Sequence, residues 1–67
     1  MKGTKYYCKS DEIIYEYVES ITVKDKKRRE GFYIFKYFSE ARQEEKKFRL
    51  LIEQFNYLIK QKIWEKK

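Results

Sequence analysis

The sequence predicts an α+β domain, a two- or three-stranded antiparallel sheet packed on one long carboxy-terminal helix. Three observations predict it. Aromatic and β-branched residues fill two runs, about 12–24 and 31–38, on either side of a short charged stretch ending in Gly31, which is the pattern of a β-hairpin. From about residue 40 to 65, apolar residues recur at helical spacing with no proline or glycine between them. At 67 residues the chain makes one domain, 1–67, and a domain this small is stable only with an efficient core. Seven tyrosines, five phenylalanines and one tryptophan supply the means, because each ring buries a large area for few rotatable bonds.

Thr4 to Lys9 reads as a short strand, since Tyr6, Tyr7 and Cys8 suit a pleated surface, and Ser10-Asp11 supplies turn chemistry. The segment 11–19 stays open between strand and helix. Ile13, Ile14, Tyr17, Val18 and Ile21 fit a helix face capped by Ser10, whereas their β-branched and aromatic composition favours a strand. Cross-strand matching favours the strand. Pairing Val23 with Phe32 sets Ile21 against Ile34 and Glu19 against Lys36, joining aliphatic to aliphatic and anion to cation.

Alternation along the second strand points Phe32, Ile34 and Phe38 one way and Tyr33, Phe35 and Tyr37 the other. Phenylalanine and isoleucine are expected in the core, with Tyr33 and Tyr37 on the outer face. Ser39 then reads as a helix N-cap, followed by Glu40, Glu44 and Glu45, with Lys60, Lys62, Lys66 and Lys67 closing the helix in agreement with its dipole. A helix of about 26 residues spans roughly 39 Å, against roughly 23 Å for strands of about seven residues. Its end should therefore overhang the sheet and carry Leu58, Ile59, Ile63 and Trp64 into an interface, with a homodimer as the first expectation and a monomer with a separate protein partner close behind.

Chemistry is bounded by what is missing. Histidine is absent and Cys8 is the one cysteine, so no disulfide, zinc site or thiol nucleophile is expected. Asp11, Glu12 and Glu16 form an acidic cluster without further ligand residues, and Glu45 and Lys47 fall on the predicted polar helix face. No metal, no cofactor and no enzymatic activity are expected. The amino terminus lacks the apolar stretch of a signal peptide and no run is long enough to cross a bilayer, so the expected location is cytoplasmic, without membrane contact.

The positive feature is charge. Lys24, Lys26, Lys27, Arg28 and Arg29 stand against Asp25 and Glu30 between the two hairpin runs, in a chain of net charge +6. A cationic hairpin loop meets polyanions, each phosphate it neutralises steepening the salt dependence of binding. Lys36 would extend the track along the sheet, and Tyr33 and Tyr37 would offer bases a stacking surface. The expected function is non-enzymatic nucleic-acid binding. The alternative is a small regulator or inhibitor of the phage or mobile-element type, binding a protein target through its aromatic sheet and carboxy-terminal helix.

Overall fold

The computed structural model describes residues 2–67. In chain order the elements are β1 (Lys5–Cys8), β2 (Ile13–Lys24), β3 (Arg29–Ser39), β4 (Glu44–Leu51), α1 (Ile52–Lys60) and β5 (Trp64–Lys66). The strands form one antiparallel sheet in the order β4-β3-β2-β1-β5. β4 and β5 are its two edges, and α1 crosses one face of the sheet to join them.

The expected long helix is replaced by a turn, a strand, a helix of nine residues and a further strand. The two- or three-stranded sheet on a long helix is thereby overturned in favour of five strands and one short helix. Ser39 ends β3 instead of capping a helix. In β4 the side chains alternate, Phe48 and Leu50 turning inward while Lys47 and Arg49 turn outward, so period two governs where the 3.6-residue pattern also fitted. Satisfaction of the backbone explains the choice. As a strand, Glu44–Leu51 bonds to the exposed edge of β3 along its length, from Ser39 opposite Glu44 to Phe32 opposite Leu51. α1 begins at Leu51 without a side-chain cap. It ends in a Schellman arrangement: Lys62 is left-handed at φ 59°, its N–H donates to the Ile59 carbonyl at 3.0 Å, and Ile63 N–H donates to the Leu58 carbonyl at 3.0 Å.

Segment 11–19 is strand from Ile13 onward, with a β-bulge between Tyr17 and Glu19 that leaves Val18 as the extra residue. The register of β2 on β3 differs by two residues from the expected one. Ile21 faces Phe32, Glu19 faces Ile34 and Val23 faces Glu30. A two-residue slip keeps every side chain on its face, so the pattern of polar and apolar residues could not discriminate the two. Past the bulge, Glu16 faces Lys36 and takes the place expected for Glu19.

The faces themselves are exchanged. The row Tyr33, Phe35 and Tyr37 lies under α1, with Phe35 wholly buried, whereas Phe32, Ile34 and Phe38 line the uncovered face. Lys36 decides this, since it belongs to the Phe32 row and a lysine in the core would lose its hydration. The core is almost entirely aromatic. Tyr6, Tyr15, Tyr17, Phe35, Phe55 and Trp64 are buried with Cys8, and Phe35 meets Phe55 stacked at 5.6 Å and Trp64 edge-on at 4.9 Å. Each such pair adds about 0.5–1.5 kcal/mol beyond area burial. Tyr15 stacks on Trp64 at 4.8 Å and donates a hydrogen bond of 2.9 Å to Asp11 Oδ2. Burial, then that bond and the Asp11 charge, raise its phenol above the ordinary tyrosine range.

Leu58, Ile59 and Ile63 pack against this core and Trp64 is part of it, so the apolar overhang expected for a homodimer does not exist. Among the described residues no helix is long and apolar enough to cross a membrane.

Candidate nucleic-acid interface

β2 and β3 run past their neighbours. β4 ends at Leu51 opposite Phe32, and on the other side, among the described residues, the last backbone bonds to β2 are those joining Tyr17 to Gly3 and Thr4. Among the described residues the hairpin from Gly31 outward is two strands wide. The ladder continues through Thr22 with Gly31, Val23 with Glu30 and Lys24 with Arg29. Asp25 and Arg28 then exchange backbone hydrogen bonds at 2.7 and 3.2 Å, which leaves Lys26 and Lys27 at the apex.

Around this tip the cations outnumber their counter-charges. Arg28 approaches Glu30 at 3.8 Å with its side chain 82% exposed, a contact too long and too wet to neutralise it. Asp25 Oδ1 accepts the Lys26 backbone N–H at 2.7 Å and so serves the turn. Among the described residues, Lys24, Lys26, Lys27 and Arg29 are in no ion pair. Lys24 and Arg29 are moreover directly opposite each other on one face of the ladder, an arrangement of like charges that costs stability.

The base of the arm is held firmly. The Arg49 guanidinium lies 4.5 Å from the centre of the Phe32 ring and covers it, leaving that ring only 8% exposed on the otherwise open face. On the other face Ile52 closes over Gly31, where an added Cβ would come 2.7 Å from Ile52 Cδ1. Sequence reasoning assigned Arg49 to a helix and so missed it; the alternation of Phe48, Arg49 and Leu50 was the available signal.

The remaining expected site residues are elsewhere. Lys36 is seven residues from Arg29, roughly 23 Å along the strand. It bridges Glu16 at 3.4 Å and Glu45 at 3.5 Å, and those carboxylates, Glu16 foremost, raise its pKa. Tyr33 packs edge-on against Phe55 at 5.1 Å and Tyr17 at 5.4 Å, while Tyr37 meets Tyr15 at 5.3 Å and Phe48 at 6.1 Å. Both belong to the face under the helix. The structure thus brings Lys24, Lys26, Lys27, Arg28 and Arg29 together and separates Lys36, Tyr33 and Tyr37 from them. Leu58, Ile59, Ile63 and Trp64 line the interior.

On the uncovered face Ile14 and Phe38 are 45% and 56% exposed and border a shallow groove with Lys5, Glu16, Lys36 and Glu45. Among the described residues no three Cys, Asp or Glu side chains are grouped to hold a metal ion. No family model, curated protein or solved structure matches this chain.

Proposed function

We propose that this is a non-enzymatic nucleic-acid-binding protein that contacts phosphates through the projecting β2–β3 tip, with Lys24, Lys26, Lys27, Arg28 and Arg29 as the contacting residues. One observation carries the reading. Lys24 and Arg29 face each other across the ladder with no carboxylate between them, so the free protein holds a repulsion that a bound phosphate relieves. Lys36 takes a structural role in this reading, and Tyr33 and Tyr37 take none in binding. The lone buried Cys8, outside any disulfide, suits a reducing cytoplasm.

Replacing Lys26, Lys27, Arg28 and Arg29 together by serine is the test. Binding measured by mobility shift at two salt concentrations should fall by at least about a hundredfold, and the salt slope should flatten by up to about 3.6 for four lost phosphate contacts. Thermal stability should be retained, because these side chains touch no core residue. Unchanged affinity in the folded variant excludes the proposal. A protein-binding regulator is the second reading, favoured by the exposed Ile14 and Phe38. A partner seated on those two residues is indifferent to the same replacement.

A further inference from the structure

We infer that the nucleic acid is duplex DNA of B form and that the arm enters its major groove; this rests on the nucleic-acid reading above. Three features of the arm point there. The first is its width. Two strands about 4.8 Å apart, with side chains on both sides, fit the roughly 12 Å major groove, which accepts a two-stranded β-ribbon. A wider sheet would not enter, and this sheet narrows to two strands where the cations begin. Gly31 and the Arg49-covered Phe32 mark that boundary; Arg29 and Glu30 border a small hollow with Leu51, Ile52 and Glu53, and the arm from Lys24 to Arg28 continues beyond it.

The second is the placement of charge around the ribbon. Lys24 and Arg29 project from one face, Arg28 by strand alternation from the other, and Lys26 and Lys27 from the apex. A groove has a phosphate backbone along each wall, and a ribbon inside it needs cations on both faces. A single strand lying on a surface needs them on one.

The third is the fate of the aromatic residues. Sequence-tolerant single-strand binding relies on exposed rings beside a basic track. Here Tyr33 packs on Phe55 of α1 and Tyr37 on Tyr15 and Phe48, and the exposed ring of Phe38 lies roughly 30 Å from Arg29 along β3. On the uncovered face Lys36 is bridged by Glu16 and Glu45, Lys9 is bridged by Glu65, and Arg49 and Lys67 lie over the rings of Phe32 and Tyr7. An RNA duplex is disfavoured because its major groove is deep and too narrow for protein elements.

The experiment compares four ligands against the full chain by fluorescence anisotropy at one salt concentration. They are a DNA duplex of about two helical turns, one of its strands alone, the RNA duplex of the same sequence, and the DNA duplex with glucosylated hydroxymethylcytosines that fill the major groove. The DNA duplex should bind about tenfold or more tighter than the single strand and the RNA duplex, with a log–log salt slope of about −4 to −5 for five neutralised phosphates. Glucosylation should weaken it by a similar factor. Equal or tighter binding to the single strand or to RNA overturns this inference while leaving nucleic-acid binding intact. Indifference to glucosylation overturns the groove assignment. Absence of binding to all four ligands overturns the nucleic-acid reading itself.

Discussion

Lys36 and Lys47 face each other across β3 and β4, as Arg29 and Lys24 do across β3 and β2. The two pairs are alike in chemistry and opposite in treatment. Beside Lys36 the sheet places Glu16 and Glu45, one from each neighbouring strand, at 3.4 and 3.5 Å. Beside Lys24 and Arg29 it places no carboxylate within ion-pairing reach among the described residues. One strand therefore carries a neutralised cation where five strands must pack and unneutralised cations where two strands project. A tip selected only to be soluble would not need its charges set against each other. The contrast separates a root whose Lys36 is neutralised from a tip whose Lys24 and Arg29 are not.

The largest expected effect belongs to the root. Phe35 is wholly buried and touches rings from all five other elements. Truncation to alanine should cost about 3–5 kcal/mol, against a total on the order of 3–10 kcal/mol for a domain of this size. Urea unfolding should show Phe35→Ala largely unfolded at 25 °C, whereas the quadruple tip variant, which also removes the Lys24–Arg29 repulsion, should keep or slightly raise the parent midpoint. A midpoint that falls equally in both would erase the distinction between root and tip.

Alkaline pH should act on the root at an intermediate level. Folding raises the Tyr15 phenol, through burial first and then the Asp11 hydrogen bond and charge, and it raises the Tyr6 phenol chiefly through burial. A group whose pKa is raised by folding contributes stability that is complete below its ordinary value, here 10.0, and is lost as pH climbs toward the folded value. Above pH 10 the Tyr15 phenol should remove up to about 1.4 kcal/mol per pH unit, and Tyr6 acts in the same direction. Lys36, also raised, loses its bridges in the same direction. Unfolding followed from pH 9 to about 11.5 should show this decline, and Tyr15→Phe should make it shallower by one phenol's share. An unaltered slope in Tyr15→Phe would mean that the phenol ionises without unfolding.

How much of this was legible in the sequence follows from which residues carry each signal. The β2–β3 pair and its charged tip could be read because Phe32 to Phe38 is unambiguously strand-like and Gly31 interrupts the charge run. The carboxy-terminal half was opaque because Glu44–Leu51 is made, Phe48 apart, of strong helix formers whose spacing suits either period. The turns gave no signal either. The left-handed positions at Glu12, Gln43 and Lys62, φ 56°, 53° and 59°, carry neither glycine nor asparagine, the usual marks of such a conformation. Gln43 compensates in part by donating from Nε2 to the Glu40 carbonyl at 2.8 Å, a contact no spacing rule anticipates. At the candidate site, clustering of the five tip cations was readable from adjacency alone. The isolation of Lys36 was not, since it depends on Glu45 arriving from a strand the sequence hid.

The smallest effect is also the most discriminating. If the Lys24–Arg29 repulsion is retained for binding, Arg29→Thr should stabilise the free protein while weakening its hold on DNA. Removing one member of a like-charged cross-strand pair returns about 0.2–1 kcal/mol, and threonine adds strand propensity. Loss of one phosphate contact should reduce the salt slope by about 0.9. Lys36→Gln offers the opposite case, because it leaves Glu16 and Glu45 without their shared cation and should lower the melting temperature while leaving DNA affinity nearly unchanged. Thermal melts and anisotropy titrations of the two variants thus predict a crossed pattern, stability up with affinity down for Arg29→Thr and stability down with affinity level for Lys36→Gln. Parallel behaviour would show that the two cation pairs do the same job, and the tip would then have no claim to be a binding element distinct from the sheet that supports it.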